Sequence, residues 1–131
     1  MLFLIRALAL FLLVMLPCLL QAQTRSIGFN TKILEDIIGV KGTANTEERV
    51  FKFSFPRTDV PVTVDGWSMK PFMGLTSWAA FRKGVEKESM VMGDLVLFED
   101  EVNPVMSVAL ENGLSVTALH NHFFYDNPRV Y

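Results

Sequence analysis

The sequence predicts an α+β domain, a mostly antiparallel sheet with helices on one face. Three observations lead there. Apolar residues alternate at Phe51, Phe53, Phe55 and again at Val60, Val62, Val64, the two-residue period of half-buried strands. Ile33, Leu34, Ile37 and Ile38 instead follow helical spacing. A strand–helix–strand pattern then occupies residues 90–122, which suggests a ferredoxin-like arrangement for the C-terminal part of the domain, residues 90–130.

Residues 1–22 read as a secretory signal peptide. Arg6 precedes an uncharged stretch of 14 residues from Ala7 to Leu20, too short for the roughly 20 residues that span a bilayer core. Leu20 and Ala22 suit positions −3 and −1 of a cleavage site before Gln23. The single cysteine, Cys18, follows Pro17 rather than a small residue, which disfavours lipid anchoring. The expected working protein is therefore one secreted or periplasmic domain, residues 23–131, with no stable membrane span after cleavage. It carries 11 basic and 14 acidic residues and no cysteine. That balance excludes a basic nucleic-acid surface. The missing thiols exclude a disulfide framework and a thiolate metal site.

Along the domain, residues 31–38 form the first predicted helix, with Asn30 or Thr31 as its cap and Gly39 as its stop. The strand through Phe51, Phe53 and Phe55 ends at Pro56, and the next ends at the turn signal Asp65-Gly66; the two are expected to be antiparallel neighbours. Pro71 and Gly74 break residues 67–75 into a packed loop, where Trp67, Phe72 and Met73 are candidates for lining an apolar pocket. Residues 77–82 and 90–97 are the third and fourth strands, joined by the charged turn KGVEKES, and Gly93 marks a bulge or a close backbone approach. Residues 98–113 are the second predicted helix, with Asn103-Pro104 suited to N-cap and first helical position and Asn112-Gly113 as its stop. Glu99, Asp100 and Glu101 gather where the helix dipole favours negative charge. Residues 114–122 are read as a fifth strand, and a sixth starts at Arg129.

The residues with most chemical potential lie in TALHNHFFYDNPR. On a strand, His120 and His122 share a face with their rings about 7 Å apart, close enough to converge on one metal ion. Asp126 could add a carboxylate oxygen. This donor set suits a divalent zinc, manganese, iron or copper ion with open coordination positions. The competing reading is that the histidines only hydrogen-bond within the fold. Arg57 and Arg129, each just after a proline at a strand edge, could grip an anionic ligand, and Asp94, a further ligand-binding candidate, could orient a histidine or hydrogen-bond a neighbouring loop. No nucleophile elbow, phosphate loop or dinucleotide fingerprint is present, so neither acyl transfer nor nucleotide chemistry has support.

Three motifs carry a family resemblance: Gly93-Asp94-Leu95-Val96-Leu97, the run from Glu99 to Met106, and Thr117-Ala118-Leu119-His120-Asn121-His122, together with Pro128-Arg129. Over residues 33–130 the chain resembles the LppY/LpqO family of bacterial envelope proteins. The resemblance implies a secreted or lipid-anchored bacterial protein of unassigned activity and adds no catalytic residue. Relatives usually have Thr or Ser in place of Phe98, forming a capping box with Glu101, so that cap is expected to be lost here. They also continue beyond Pro128-Arg129 into a strand that usually carries another histidine, then a final helix. On that comparison the last strand and helix are expected to be missing. The functional expectation is a metal- or small-ligand-binding envelope domain using His120 and His122. The alternatives are a metal-dependent hydrolase or oxidoreductase, or a structural or interaction module whose protein partners the sequence does not name.

Overall fold

The computed structural model describes residues 26–86 and 88–131; the signal peptide and Cys18 lie outside the described residues. The fold is α+β. Helix α1 (Thr31–Ile38) is followed by strands β1 (Thr43–Asn45), β2 (Val50–Pro56), β3 (Thr63–Val64) and β4 (Trp67–Ser68), then a 3₁₀ turn at Pro71–Met73. Strands β5 (Thr76–Lys83) and β6 (Ser89–Asp94), helix α2 (Glu99–Glu111) and strand β7 (Asp126–Asn127) complete the chain. One antiparallel sheet has the order β1-β2-β5-β6, and a smaller antiparallel one has the order β4-β3-β7.

Phe51, Phe53 and Phe55 do share a face of β2, and that face builds one of two cores. Phe53 is completely buried and Phe51 nearly so, beside Ile27. Leu34 and Ile38 of α1 cover them together with Phe29 and Phe81. The ring of Phe53 meets those of Phe51 and Phe81 edge-on, at centroid distances of 5.1 and 5.8 Å, the geometry that the quadrupoles of aromatic rings favour. Helix α1 has the boundaries its sequence predicts. The Asn30 side chain accepts the Ile33 N–H, and Gly39 closes the helix with a φ of 81°.

The second core is Val62, Leu75, Val96, Phe98 and Val130, flanked by Met69 and Phe123. It gathers the ends of elements rather than their middles. Leu97 and Tyr131 exchange backbone hydrogen bonds of 2.9 and 2.8 Å, which sets Val130 beside Phe98. The buried Ser77 hydroxyl accepts the Val96 N–H at 2.9 Å and ties this core to β5.

Several expectations need correction. The segment of Val60, Val62 and Val64 does not pair with β2, whose neighbours are β1 and β5. Only Thr63 and Val64 form a strand, and they join β4 through an Asp65-Gly66 turn with both φ angles positive, the backbone a two-residue hairpin loop requires. Pro56 ends β2 and the chain crosses to the other core, so Val62 is buried there instead. Trp67, Phe72 and Met73 are all exposed and face outward. The second helix occupies the range expected for it, but its N-cap is Phe98, not Asn103, and Pro104 lies inside it. Residues 114–122 form no strand, so the βαβ unit and the ferredoxin-like arrangement are absent. The tail pairs at β7 and at the single bridge of Val130, not in a sixth strand from Arg129.

Gly93 makes the expected close approach. A Cβ there would stand 2.7 Å from the Trp78 carbonyl oxygen of the adjacent strand. Gly93→Ala is expected to destabilise the domain by about 1–3 kcal/mol through overpacking, and Phe53→Ala by about 3–5 kcal/mol. Phe72→Ala, at a fully exposed position, should stay within about 0.5 kcal/mol of the parent. Urea denaturation of the three variants checks this order.

Candidate functional site

The histidines sit on the way into a closed C-terminal loop. At the neck of this loop the His122 N–H donates to the Val130 carbonyl at 2.7 Å. Within it, an Asp126 carboxylate oxygen accepts the Val130 N–H at 2.7 Å, and β7 pairs with β3. The His122 ring leaves this neck sideways. Its Nε2 lies 2.5 Å from the Gly74 carbonyl oxygen, and its plane meets Phe123 edge-on at 4.6 Å. Gly74 has a φ of 111°, and a Cβ there would stand 3.1 Å from the Phe123 ring. Glycine therefore serves both the backbone conformation and the approach of these two rings.

His120 is exposed, and its Nδ1 lies 3.1 Å from the Asn121 carbonyl oxygen. A carbonyl oxygen only accepts, so the ring nitrogen facing it must carry the proton. In the neutral imidazole the other nitrogen then offers its lone pair. That leaves His120 Nε2 and His122 Nδ1 as acceptors. The shared strand face expected from spacing is not the geometry observed, because no strand forms here. Among the described residues no three His, Cys, Asp or Glu side chains come together as a metal-holding group, so His120, His122 and Asp126 are not gathered into one such cluster.

The three ligand-gripping candidates are placed differently from one another. Asp94 is exposed at the end of β6, and Arg129 is exposed in the tail; neither side chain makes a hydrogen bond or ion pair among the described residues. Arg57 is only 16% exposed, and every one of its five N–H groups is taken. Nε and Nη2 hold the Asp59 carboxylate at 3.2 and 2.7 Å. Nη2 and Nη1 hold both oxygens of Glu101, the former at 2.9 Å, and Nη1 also donates to the Val96 carbonyl at 3.0 Å. The guanidinium lies over the Phe98 ring at 4.2 Å. A side chain so completely engaged grips its own fold instead of an outside anion.

This constellation escaped sequence reasoning because its two halves are 44 residues apart. The sequence offered only half of the signal, an acidic cluster ahead of a helix. It also explains why α2 starts ahead of Asn103. Glu101 accepts the Phe98 N–H at 2.9 Å, and its own N–H bonds the Phe98 carbonyl at 2.9 Å. The glutamate half of a capping box thus survives without a hydroxyl at the cap.

Among the described residues, open clefts of about 640 and 490 Å³ occur. The first lies between Ser26, Glu48, Arg49 and Arg82, and the second beside Arg57, Val96 and Val105. Neither is lined by His120, His122 or Asp126.

Hydrogen bonding to Arg57, the strongest influence, holds the Glu101 carboxyl below its ordinary value near 4.5, aided by the Phe98 N–H and opposed by partial burial. The same partners hold the Arg57 guanidinium firmly protonated. A carboxyl whose folded pKa is depressed stabilises fully above its unfolded value and loses that contribution as pH falls through the folded one. The domain is thus expected to lose stability below about pH 4.5, and Arg57→Met should flatten that acid limb while costing about 2 kcal/mol at neutral pH. Thermal melts of both proteins across acidic pH give the comparison.

No curated protein and no solved structure matches the chain. One family model does, over residues 32–131 of 131. With most of its length covered by that match, the chain belongs to the Domain of Unknown Function (DUF1259) family.

Proposed function

We propose that this chain is an exported bacterial envelope domain, of the kind the LppY/LpqO resemblance implies, that binds a transition-metal ion or a small ligand through His120 and His122. The observation that carries the reading is the pair of backbone contacts, His120 Nδ1 to Asn121 and His122 Nε2 to Gly74. Metal-binding imidazoles commonly donate one N–H to such a carbonyl, which fixes the tautomer and raises the basicity of the other nitrogen. Two neutral donors suit a borderline ion such as zinc, manganese, iron or copper. They leave most coordination positions to water or to a guest, the prerequisite for the hydrolytic or oxidative chemistry that stands as an extension of this reading. Export is supported by Arg6 and the uncharged stretch that follows it.

A second reading is favoured by one specific contact. His122 ties the neck of the C-terminal loop to the turn at Gly74, next to Phe123 of the second core. Such a brace serves a structural or interaction module without any guest.

The two readings differ in which histidine matters and how. Ligand binding predicts that zinc or copper raises the melting temperature of the parent, and that His120→Ala, an exposed position, abolishes the rise while leaving the metal-free melt unchanged. Bracing predicts no response to metal, with His122→Ala lowering stability by about 1 kcal/mol. Calorimetric titration and melting of the parent and both variants distinguish them. A parent that binds none of these ions removes the metal reading.

A further inference from the structure

We infer that residues 114–121 of one copy of this chain add to the free edge of β6 in a second copy, giving a two-fold symmetric dimer. Strand β6 pairs only with β5, so its other edge is open among the described residues. All six of its residues are exposed, with Met90 and Met92 at 63% and 59%. Open edges are ordinarily guarded by charge or proline. From Met90 to Gly93 this one carries neither.

The complementary segment lies on the same chain. Leu114 donates to Ala109 at the end of α2, and His122 donates to Val130 at the neck of the C-terminal loop. Between these two anchors, no N–H of residues 115–121 makes a backbone hydrogen bond among the described residues. Seven consecutive exposed N–H groups left to solvent are available to a strand partner. The sequence of this stretch, with Leu114, Val116 and Ala118 alternating with Ser115 and Thr117, has a strand's period and no Asp, Glu, Lys or Arg. Its apolar side chains are bare: Val116 and Leu119 are exposed, as are Val108 and Leu110 on the preceding helix.

A second copy of the chain is the occupant that fits. The open edge is uncharged from Ser89 to Gly93, with Asp94 at its end, the open segment carries no Asp, Glu, Lys or Arg, and each chain carries one of each. A two-fold axis therefore satisfies both at once, the self-complementary arrangement that closes an assembly at two subunits. Pairing of this kind also covers the exposed methionines of β6. Residues 114–121 include His120 and β6 ends in Asp94, so the test substitutes Val116 and Met92, which contribute no ligand to the histidine reading.

The test uses the chain expressed from its first codon and purified as the host processes it. Sedimentation equilibrium at micromolar concentrations is expected to show twice the mass of one chain. Val116→Pro removes a ladder N–H from the segment, and Met92→Lys places a charge on the edge. Each is expected to weaken dimerisation by at least about tenfold, with circular dichroism of the dilute protein unchanged because both positions are exposed in the single chain. Amide exchange of residues 115–121 should slow only at concentrations where the dimer forms. A parent that stays monomeric overturns the proposal, as does a dimer indifferent to both substitutions. Protection of the same amides in the dilute monomer also overturns it, by assigning the segment to its own chain.

Discussion

The saturated guanidinium of Arg57 is the interaction on which the arrangement of the C-terminal part depends. It follows directly after β2, the strand whose phenylalanines make one core, and it reaches Val96, Phe98 and Glu101, which frame the other. An arginine suits this place because its planar fork can hold two carboxylates and a carbonyl at once while its face rests on an aromatic ring. At 16% exposure it is neither deeply buried nor free in solvent. Its desolvation cost is therefore moderate and its charge is fully matched.

From that clamp the rest of the second core follows. Glu101, held by Arg57, caps the Phe98 N–H and sets where α2 begins. Phe98 then stands where Val130 can bridge to it, and Leu97 and Tyr131 exchange hydrogen bonds alongside. Val130 in turn is the anchor of the loop on which His122 and Asp126 sit. The orientation of the candidate ligand-binding residues is thus linked, contact by contact, to an ion pair formed far from them in sequence.

The same structure is uneven in how well it satisfies its own chain. The α1 side of the four-stranded sheet is closed by interlocking aromatic rings, and the second core buries Val62, Leu75 and Val130 almost completely. Helix α2 by contrast buries only Val102, and β6 buries nothing. Exposed apolar residues occur along β6, the far half of α2 and residues 114–119, as well as at Ile37, Trp67, Phe72 and Phe124. Scattered exposed apolar side chains are ordinary on a protein surface; a contiguous run along one open strand edge marks a place of association.

The sequence by itself determined the elements whose signals are local. Helix α1 was legible with both its caps, because Asn30 and Gly39 act within one turn of the chain they terminate. The phenylalanine face of β2, the β5–β6 hairpin, the Asp65-Gly66 turn and the close approach at Gly93 were legible for the same reason. Tertiary structure alone decided which strands became neighbours, and it turned the valine segment away from β2 into the second core. It also overrode Asn103-Pro104 as the start of α2, since the Arg57–Glu101 pair stabilises an earlier turn that no short-range pattern reveals. The strand predicted for residues 114–122 has the right alternation and lacks a partner within the described chain, and alternation states only which residues could share a face. A strand exists when another strand receives its hydrogen bonds, and that depends on the whole of the fold and on whatever the fold meets.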